Sequence, residues 1–201
     1  MRSTLQSGLT LSLGALAAML ALAATSMITR EPIERSKAQT TRLQFEALLP
    51  ADMLEHDPLA SMKWVTASEL GTSEAVPVYP VFKQDKPVAV VLSVVAPDGY
   101  NGSIHLLVSV DTEGTILGVR VTNHRETPGL GDDIEHRRSD WINSFAGQSL
   151  QSTTAGDWTV VRQGGQFDSF TGATVTPKAV INAVYRALSW YSTNQETVFE
   201  R

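Results

Sequence analysis

The segment "PVAVVLSVVAPDGYNGSIHLLVSV" (87–110) sets the fold class, because two valine-rich and leucine-rich runs flank a cluster of turn residues. Runs of β-branched residues bounded by Gly, Pro, Asn and Asp are typical of β-strands. The intervening "PDGYNG" (97–102) supplies the turn residues. The segment therefore predicts an antiparallel pair of strands over 87–96 and 103–110.

Two further runs extend this pair into a larger sheet. "VYPVF" (78–82) precedes it, and "TILGVRVTNH" (115–124) follows it after the turn "DTEG" (111–114). Because the connections are short, we expect the three runs at 87–96, 103–110 and 115–124 to lie next to each other as an antiparallel meander. "WTVV" (158–161) is predicted to form one more, late strand.

Helices are predicted on either side of these strands. A short helix is expected over about 38–49, and Pro50 ends it. A second short helix is expected in "SDWINSFAG" (139–147), with Ser139 as its N-cap. Together with the strands, these helices predict an α+β fold.

The last helix has the clearest predicted start. Thr176 is a good N-cap, and Pro177 at the first helical position loses no N–H group that the helix needs. The apolar side chains that follow fall on one face: Val180, Ile181, Val184, Leu188 and Tyr191. We therefore expect a long amphipathic helix that packs in the domain core.

The chain begins with a long apolar run. Residues 8–28 contain no charged side chain, and as a helix they would be about 31 Å long, close to the thickness of a bilayer core. A cleaved signal peptide is the alternative, because "ALA" (21–23) is a passable cleavage site. The apolar run continues through Met27 and Ile28, which favours an uncleaved transmembrane anchor. An export-competent N-terminus would leave the large domain outside the cytoplasm.

The rest of the chain is acidic and lacks cysteine. Of the 16 Lys and Arg residues only Arg2 precedes Arg30, and all 21 acidic residues follow it, so residues 30–201 carry 15 basic and 21 acidic side chains, a net charge of −6. This charge argues against nucleic acid as a partner. Without cysteine, electron transfer on this chain would need an organic cofactor or a histidine-ligated metal.

The sequence gives little support to a metal site. Asp132 and Asp133 are interpreted as an exposed loop pair rather than as cation ligands. Metal-ligand spacing is not found among the four histidines, which are His56, His105, His124 and His136.

Hydroxyl groups are concentrated in "SFTGATVTP" (169–177), directly before the last helix. An anion near Thr174 would meet unpaired N–H groups and the positive end of the helix dipole. Gly172 and Ala173 leave the approach to that hydroxyl open, so a bound or attached phosphate fits here. The residues alone allow a second interpretation, in which the threonines only form the turn and cap the helix.

The loop "ETPGLG" (126–131) also has two interpretations. In the first interpretation it is only a surface turn, with proline at its second position and glycine beyond it. Alternatively, its backbone N–H groups approach a flat ligand, because Gly129 and Gly131 have no side chain in the way.

Three stretches together carry a family resemblance. "TGATVT" (171–176) resembles the flavinylation motif of covalent FMN-binding domains, and "HRETPGLGDDIE" (124–135) looks like the second hallmark of the same family. "APDGYNGSIHLLV" (96–108) matches its central hairpin. With the N-terminal apolar run and this length, the chain is similar to the family of G subunits (RnfG/RsxG) of Rnf-type (Rsx) ion-translocating electron transport complexes.

The resemblance implies a covalent flavin. Thr174, the last residue of the G-A-T triplet, would be esterified to the phosphate of FMN by a separate flavin transferase. Thr171, Gly172 and Ala173 would complete the motif. The residues implied to line the rest of the flavin site are Glu126, Thr127, Gly129, Leu130 and Gly131.

The resemblance also implies a place of action. It implies a single-pass inner-membrane protein with its flavin domain on the periplasmic side. The protein would be one subunit of a multi-subunit translocase. This complex would couple ion movement to electron transfer between a low-potential donor such as ferredoxin and NAD. The expected organisation is an anchor (1–29), a neck and helical region (30–76), an FMN-binding domain (77–195) and a tail (196–201). Three competing interpretations are an anchored scaffold whose threonine is never modified, an exported domain that binds a loose anion, and a component like the C subunit of the sodium-pumping quinone reductase.

Overall fold

The computed structural model describes residues 2–54 and 57–200, so His56 lies outside the described residues. The chain forms two compact units, one ending at Phe45 and one beginning at Glu46. Inside the first helix, the side chains described are those of residues 8, 11–27, 29 and 43–48.

A single long helix, α1, runs over Arg2–Leu48. It includes most of the helix predicted over 38–49, and the predicted polar neck before it is helical as well. Its end at Leu48 agrees with the expectation from Pro50, because the residue before a proline is biased away from helical geometry. In the described part of the chain, no helix combines the length and the apolarity of a membrane span. Large apolar side chains of α1 are nevertheless exposed, namely Leu11, Leu13, Leu16, Met19, Leu20, Leu22 and Met27.

The second unit is built, among its described residues, on a five-stranded antiparallel sheet in which the strands follow chain order. The strands are β1 (Lys63–Val65), β2 (Val76–Lys83), β3 (Lys86–Ala96), β4 (Ile104–Asp111) and β5 (Ile116–Asn123). The meander predicted for β3 to β5 is confirmed, and the strand predicted at 78–82 is β2, which precedes it in the sheet. Strand β1 was missed, because three residues are too few to show an alternating pattern.

Helix α2 (Val175–Phe199) packs on this sheet and closes the core. Alternate residues of the central strands point toward it, such as Leu92 and Val94 in β3 and Leu106 and Val108 in β4. The predicted apolar stripe of the helix is confirmed, since all of its residues are buried: Val180, Ile181, Val184, Leu188 and Tyr191. The packing of α2 in the core places its N-terminal end close to the β3–β4 turn and the loop after β5.

The strand predicted at 158–161 is wrong. Val160 makes an isolated parallel bridge with Phe167, and no strand pairing continues from it among the described residues. Trp158 and Val160 are buried in the core, and the Trp158 ring packs near that of Phe167 with centroids 5.5 Å apart. The apolar pattern there reflects burial by side chains of an irregular segment and not a hydrogen-bonded ladder.

The helix predicted at 139–147 is a short 3-10 helix over Trp141–Phe145. Its N-cap position is Asp140 and not Ser139. The Ser139 hydroxyl oxygen still accepts a hydrogen bond from the Trp141 N–H at 3.2 Å. The prediction placed the polar group correctly and the helix boundary one residue early.

Candidate functional site

A cavity of about 230 Å³ opens where three segments of the second unit meet. The segments are the turn between β3 and β4, the loop after β5 and the residues that lead into α2. The lining residues are Tyr100, Glu126, Thr127, Leu130, Gly131, Gly172, Ala173, Thr174, Val175 and Thr176. Seven of the nine residues that the sequence suggested for one site lie together here, whereas Thr171 and Gly129 do not line the cavity.

The segment before α2 makes a tight turn that presents its last residues to the cavity. Ala173 donates its N–H to the Phe170 carbonyl at 3.2 Å, and the two residues form a bridge. Gly172 has φ of 82°, a left-handed conformation that side-chain-bearing residues rarely adopt. The glycine of the G-A-T triplet is therefore required by the turn itself.

Thr174 occupies the N-cap position of α2, because the helix begins at Val175. The prediction that Thr176 caps the helix is wrong. A proline tolerates any position of the first turn, where N–H groups lack intrahelical partners, so Pro177 allows the helix to begin two residues earlier than expected. Thr174 is half-buried, and within the described chain its side chain makes no capping hydrogen bond.

The Thr176 hydroxyl is engaged elsewhere. It donates a hydrogen bond to Glu126 Oε2, and both residues are buried. The other carboxylate oxygen, Glu126 Oε1, accepts the Asn101 N–H at 3.0 Å. Glu126 thus links all three segments that form the cavity.

Gly131 allows the loop to approach this pair. A Cβ atom added there would lie 3.0 Å from Glu126 Cβ, from Glu126 Oε2 and from Thr176 Oγ1. Its backbone has φ of −90°, which any residue adopts, so the requirement for glycine is one of space. The loop is anchored further by the Thr127 carbonyl, which accepts the Gly131 N–H at 3.0 Å.

Gly129 shapes the loop from outside the cavity. It has φ of 76°, and an added Cβ would meet no atom within 4 Å among the described residues. Its N–H donates to Asp132 Oδ1 at 2.6 Å, and Asp132 Oδ2 pairs with Arg138 at 3.2 Å. The interpretation of Asp132 as an exposed loop residue is wrong, because its side chain is buried and holds the turn.

His124 connects the same loop to Glu135. Its Nε2 lies 2.7 Å from Glu135 Oε1, and its Nδ1 accepts the Glu126 N–H at 3.0 Å. Since Nδ1 accepts, the ring proton lies on Nε2 and points to the carboxylate. A hydrogen bond from Arg137 holds the pKa of Glu135 below its ordinary range, and the hydrogen bond from His124 lowers that pKa by a smaller amount. No cluster of three potential metal ligands occurs among residues 2–54 and 57–200.

The mouth of the cavity is apolar. Tyr100, Leu130 and Val175 are 70%, 44% and 49% exposed, and each comes from a different one of the three segments. Polar groups also line the cavity, including the half-buried Thr174 at the start of α2, where the first N–H groups of a helix lack intrahelical partners. Such a site fits a ligand with a flat apolar body and an anionic end, as FMN has. Tyr100, Val175 and Thr176 were not predicted to line this site, although Tyr100 stands in the quoted turn "PDGYNG" and Thr176 was predicted as the helix cap.

Comparison with known proteins gives consistent matches. A family model described as FMN-binding domain matches residues 99–189. The G subunit of the ion-translocating oxidoreductase complex of Escherichia coli (strain K12) is 48% identical over 90% of this chain and 87% of that protein. The proteins of the same name from Shewanella loihica and Vibrio atlanticus are 40% and 39% identical, over 100% and 96% of this chain and 95% and 92% of theirs. A solved structure, the C subunit of the Na(+)-translocating NADH-quinone reductase from Parabacteroides distasonis, has 22% identity and a TM-score of 0.47 over 77% of this chain and 76% of that one.

Proposed function

The chain belongs to the family of G subunits of ion-translocating oxidoreductase complexes, and we propose that it carries its FMN as a phosphoester on Thr174. Membership makes it a flavoprotein subunit of an ion-translocating electron transfer complex. When bound, FMN supplies a redox centre that accepts and releases electrons. The chain itself contributes position, electrostatics and exclusion of water.

One observation carries the proposal for Thr174. Its hydroxyl stands at the N-cap position of a long helix, lines the cavity and makes no capping hydrogen bond with the described residues. A phosphodiester there would keep one negative charge, and the helix start offsets such a charge by about 0.3–1 kcal/mol. The N–H groups of Val175 and Thr176 are the donors that this anion would meet.

The two neighbouring threonines are weaker candidates for opposite reasons. Thr171 is exposed on the turn and does not line the cavity. Thr176 lines it but is 1% exposed, and its hydroxyl donates to Glu126. The position between them combines access with a hydroxyl that is not already bonded.

The remaining lining residues would hold the flavin without reacting. The apolar rim of Tyr100, Leu130 and Val175 would be covered by an apolar ring, which removes exposed hydrophobic area from water. Attachment through the phosphate would leave the redox-active ring chemically unchanged. The absence of cysteine in the sequence agrees with a flavin as the redox centre of this chain.

The test is covalent labelling of the full chain produced together with a flavin transferase. Wild type should fluoresce as a flavin band after denaturing electrophoresis. Thr174→Val keeps β-branching but removes the nucleophile, so the band should vanish while the fold, followed by circular dichroism, remains. Thr171→Ser is the matched control and should keep full labelling. A labelled Thr174→Val variant would disprove the assignment.

We further propose that the uncharged run 8–28 anchors the protein in the inner membrane, with the flavin domain on the periplasmic side. The exposed leucines and methionines of α1 support this, because a helix surface of that kind requires an apolar environment. The protein should then resist carbonate extraction from membranes. A mature chain that begins at Ala24 would show cleavage and disprove the anchor.

Partners follow from the same family. We propose that the chain works as one subunit of a redox-driven translocase, beside other membrane subunits, after maturation by the flavin transferase. It should co-purify with several polytopic membrane proteins from gently solubilised native membranes. A monodisperse single chain under those conditions would contradict membership of a stable complex.

A further inference from the structure

Two of the residues that line the cavity form a buried pair that the proposed attachment does not use. Glu126 is 4% exposed and Thr176 is 1% exposed. A buried carboxylate is costly unless its oxygens accept hydrogen bonds. Both oxygens of Glu126 do so, one from the Thr176 hydroxyl and the other from the Asn101 N–H at 3.0 Å. The pair therefore joins the second residue of α2 to the loop after β5 and to the β3–β4 turn.

This pair distinguishes two threonines that lie only two positions apart. Thr176 donates a hydrogen bond from its hydroxyl to Glu126 and is almost fully buried. Thr174 is half-buried and, among the described residues, has no capping bond. If the Thr176 hydroxyl turned instead toward the start of the helix, it would compete for the same N–H groups that an anion at Thr174 needs.

We propose that Glu126 is a positioning residue that selects the acceptor threonine. Acting through Thr176, it fixes the first turn of α2 so that the Thr174 hydroxyl faces the cavity. It also keeps the Thr176 hydroxyl from becoming a second acceptor. The proposal rests on the proposed function, since it concerns the esterification of Thr174.

The chemistry of attachment assigns Glu126 no proton. Thr174 Oγ1 forms a P–O bond to the FMN phosphorus, its O–H bond breaks, and the proton passes to the transferase or to water. At the same phosphorus, the bond to the leaving group of an activated flavin donor breaks, and a phosphoanhydride such as a flavin dinucleotide is the required class. No electrons are transferred. A change that keeps the hydrogen bond between Thr176 and residue 126 should therefore spare the reaction.

The decisive pair of variants is Thr176→Ser and Thr176→Val in the full chain. Serine keeps the donor to Glu126, whereas valine keeps the β-branched shape without it. In time courses with a flavin transferase, we expect the serine variant to label within about twofold of wild type. The valine variant should label roughly tenfold more slowly, because a displaced nucleophile loses rate steeply. Peptide mapping should place FMN on Thr174 in both.

Glu126 itself is tested by two substitutions, with a third at Glu135 as the control. The amide oxygen of Glu126→Gln can still accept from Thr176, so FMN should remain on Thr174 alone. Glu126→Ala removes the acceptor, and part of the FMN should then appear on Thr176. Glu135→Gln is the control, because Glu135 is a carboxylate of the same loop that bonds His124 and Arg137 and does not line the cavity.

Equal labelling rates for the serine and valine variants would overturn the proposal. So would a folded Glu126→Ala protein that is labelled on Thr174 alone at the wild-type rate. If Glu126→Ala does not fold, as judged by circular dichroism, the serine and valine pair decides by itself. A wild type that stays unlabelled while a known substrate of the transferase is labelled would overturn the proposed function, and this inference with it.

Discussion

The sheet and the loops around the cavity are held together in different ways. Strands β2 to β5 form antiparallel ladders, with register shifts in the β2–β3 and β4–β5 pairs, and their inward residues are buried. In the loops around the cavity, side chains satisfy backbone N–H groups: Glu126 accepts from Asn101 in the β3–β4 turn, and Asp132 accepts from Gly129 in the loop after β5. Backbone ladders leave few free donors or hydroxyls, whereas irregular segments can present them. Burial is therefore concentrated on the sheet, whereas the cavity that we propose as the flavin site is lined by the loops.

The strongest way to break the sheet side of this comparison is Leu92→Ala. Leu92 is fully buried in β3, so the variant should lose about 2–5 kcal/mol of unfolding free energy from lost burial and a residual cavity. Urea unfolding followed by circular dichroism measures it. Leu130→Ala, at the exposed rim, should cost well under about 1 kcal/mol. Similar losses for both would show that the core is not where the burial pattern places it.

On the loop side, Asp132→Ala should give the next largest effect. It leaves the Gly129 N–H without its 2.6 Å acceptor and removes the partner of Arg138, at a cost of about 1–3 kcal/mol. Hydrogen exchange should rise in residues 127–133 and stay unchanged in β3. If exchange rises throughout the sheet as well, the loop is not an independent structural region.

The two glycines of the loop sharpen the comparison further. Gly129→Ala should cost about 1–2 kcal/mol because of its left-handed backbone, yet leave flavin attachment intact, since the added methyl meets no described atom. Gly131→Ala should change the backbone little but press on Glu126 and Thr176, and so slow attachment. Gly129→Ala should therefore have the lower thermal unfolding temperature, whereas Gly131→Ala should have the lower labelling rate. If Gly129→Ala impairs attachment more, Gly129 acts on the site directly.

The smallest expected effect is the pH dependence from Glu135. Its pKa is lowered from the ordinary 4.5 by Arg137 and His124, so the folded state prefers the ionised form. The resulting stability is present above about pH 5 and is lost as the pH falls through the lowered folded pKa. Because Arg137 is largely exposed and solvent screens the pair, wild type should be only slightly more stable than Glu135→Gln at pH 7. A difference that grows on acidification would have the wrong sign.

The sequence predicted the sheet well because its signals are local. The runs at 87–96 and 103–110 are long, apolar and separated by turn residues, and the structure has β3 and β4 there. The run at 158–161 is also apolar and rich in β-branched residues, but it forms no strand. Trp158 and Val160 are buried in the core, and Val160 makes only an isolated bridge. An apolar composition indicates that a segment is buried. Whether the segment pairs with a strand depends on its tertiary neighbours, which a local sequence pattern does not contain.

The site was predictable as a set of residues and not as a set of contacts. The motifs at 124–135 and 171–176 identified Glu126, Gly131 and Thr174 as candidate site residues, and the fold places all three around one cavity. The start of α2 was misplaced because Thr176-Pro177 satisfies the local rules for a cap. The bond between Thr176 and Glu126 spans 50 positions, and no local rule contains it.

Fragment mapping of the tryptic peptide 163–178, taken from full-length protein labelled by a flavin transferase, tests the central claim most directly. This peptide contains Thr171, Thr174 and Thr176, so its fragment ions distinguish the three hydroxyls. The structure predicts FMN on Thr174 alone, joined through its phosphate. FMN on Thr171 or Thr176, or a peptide that stays unmodified while a control substrate is labelled, would contradict the assignment.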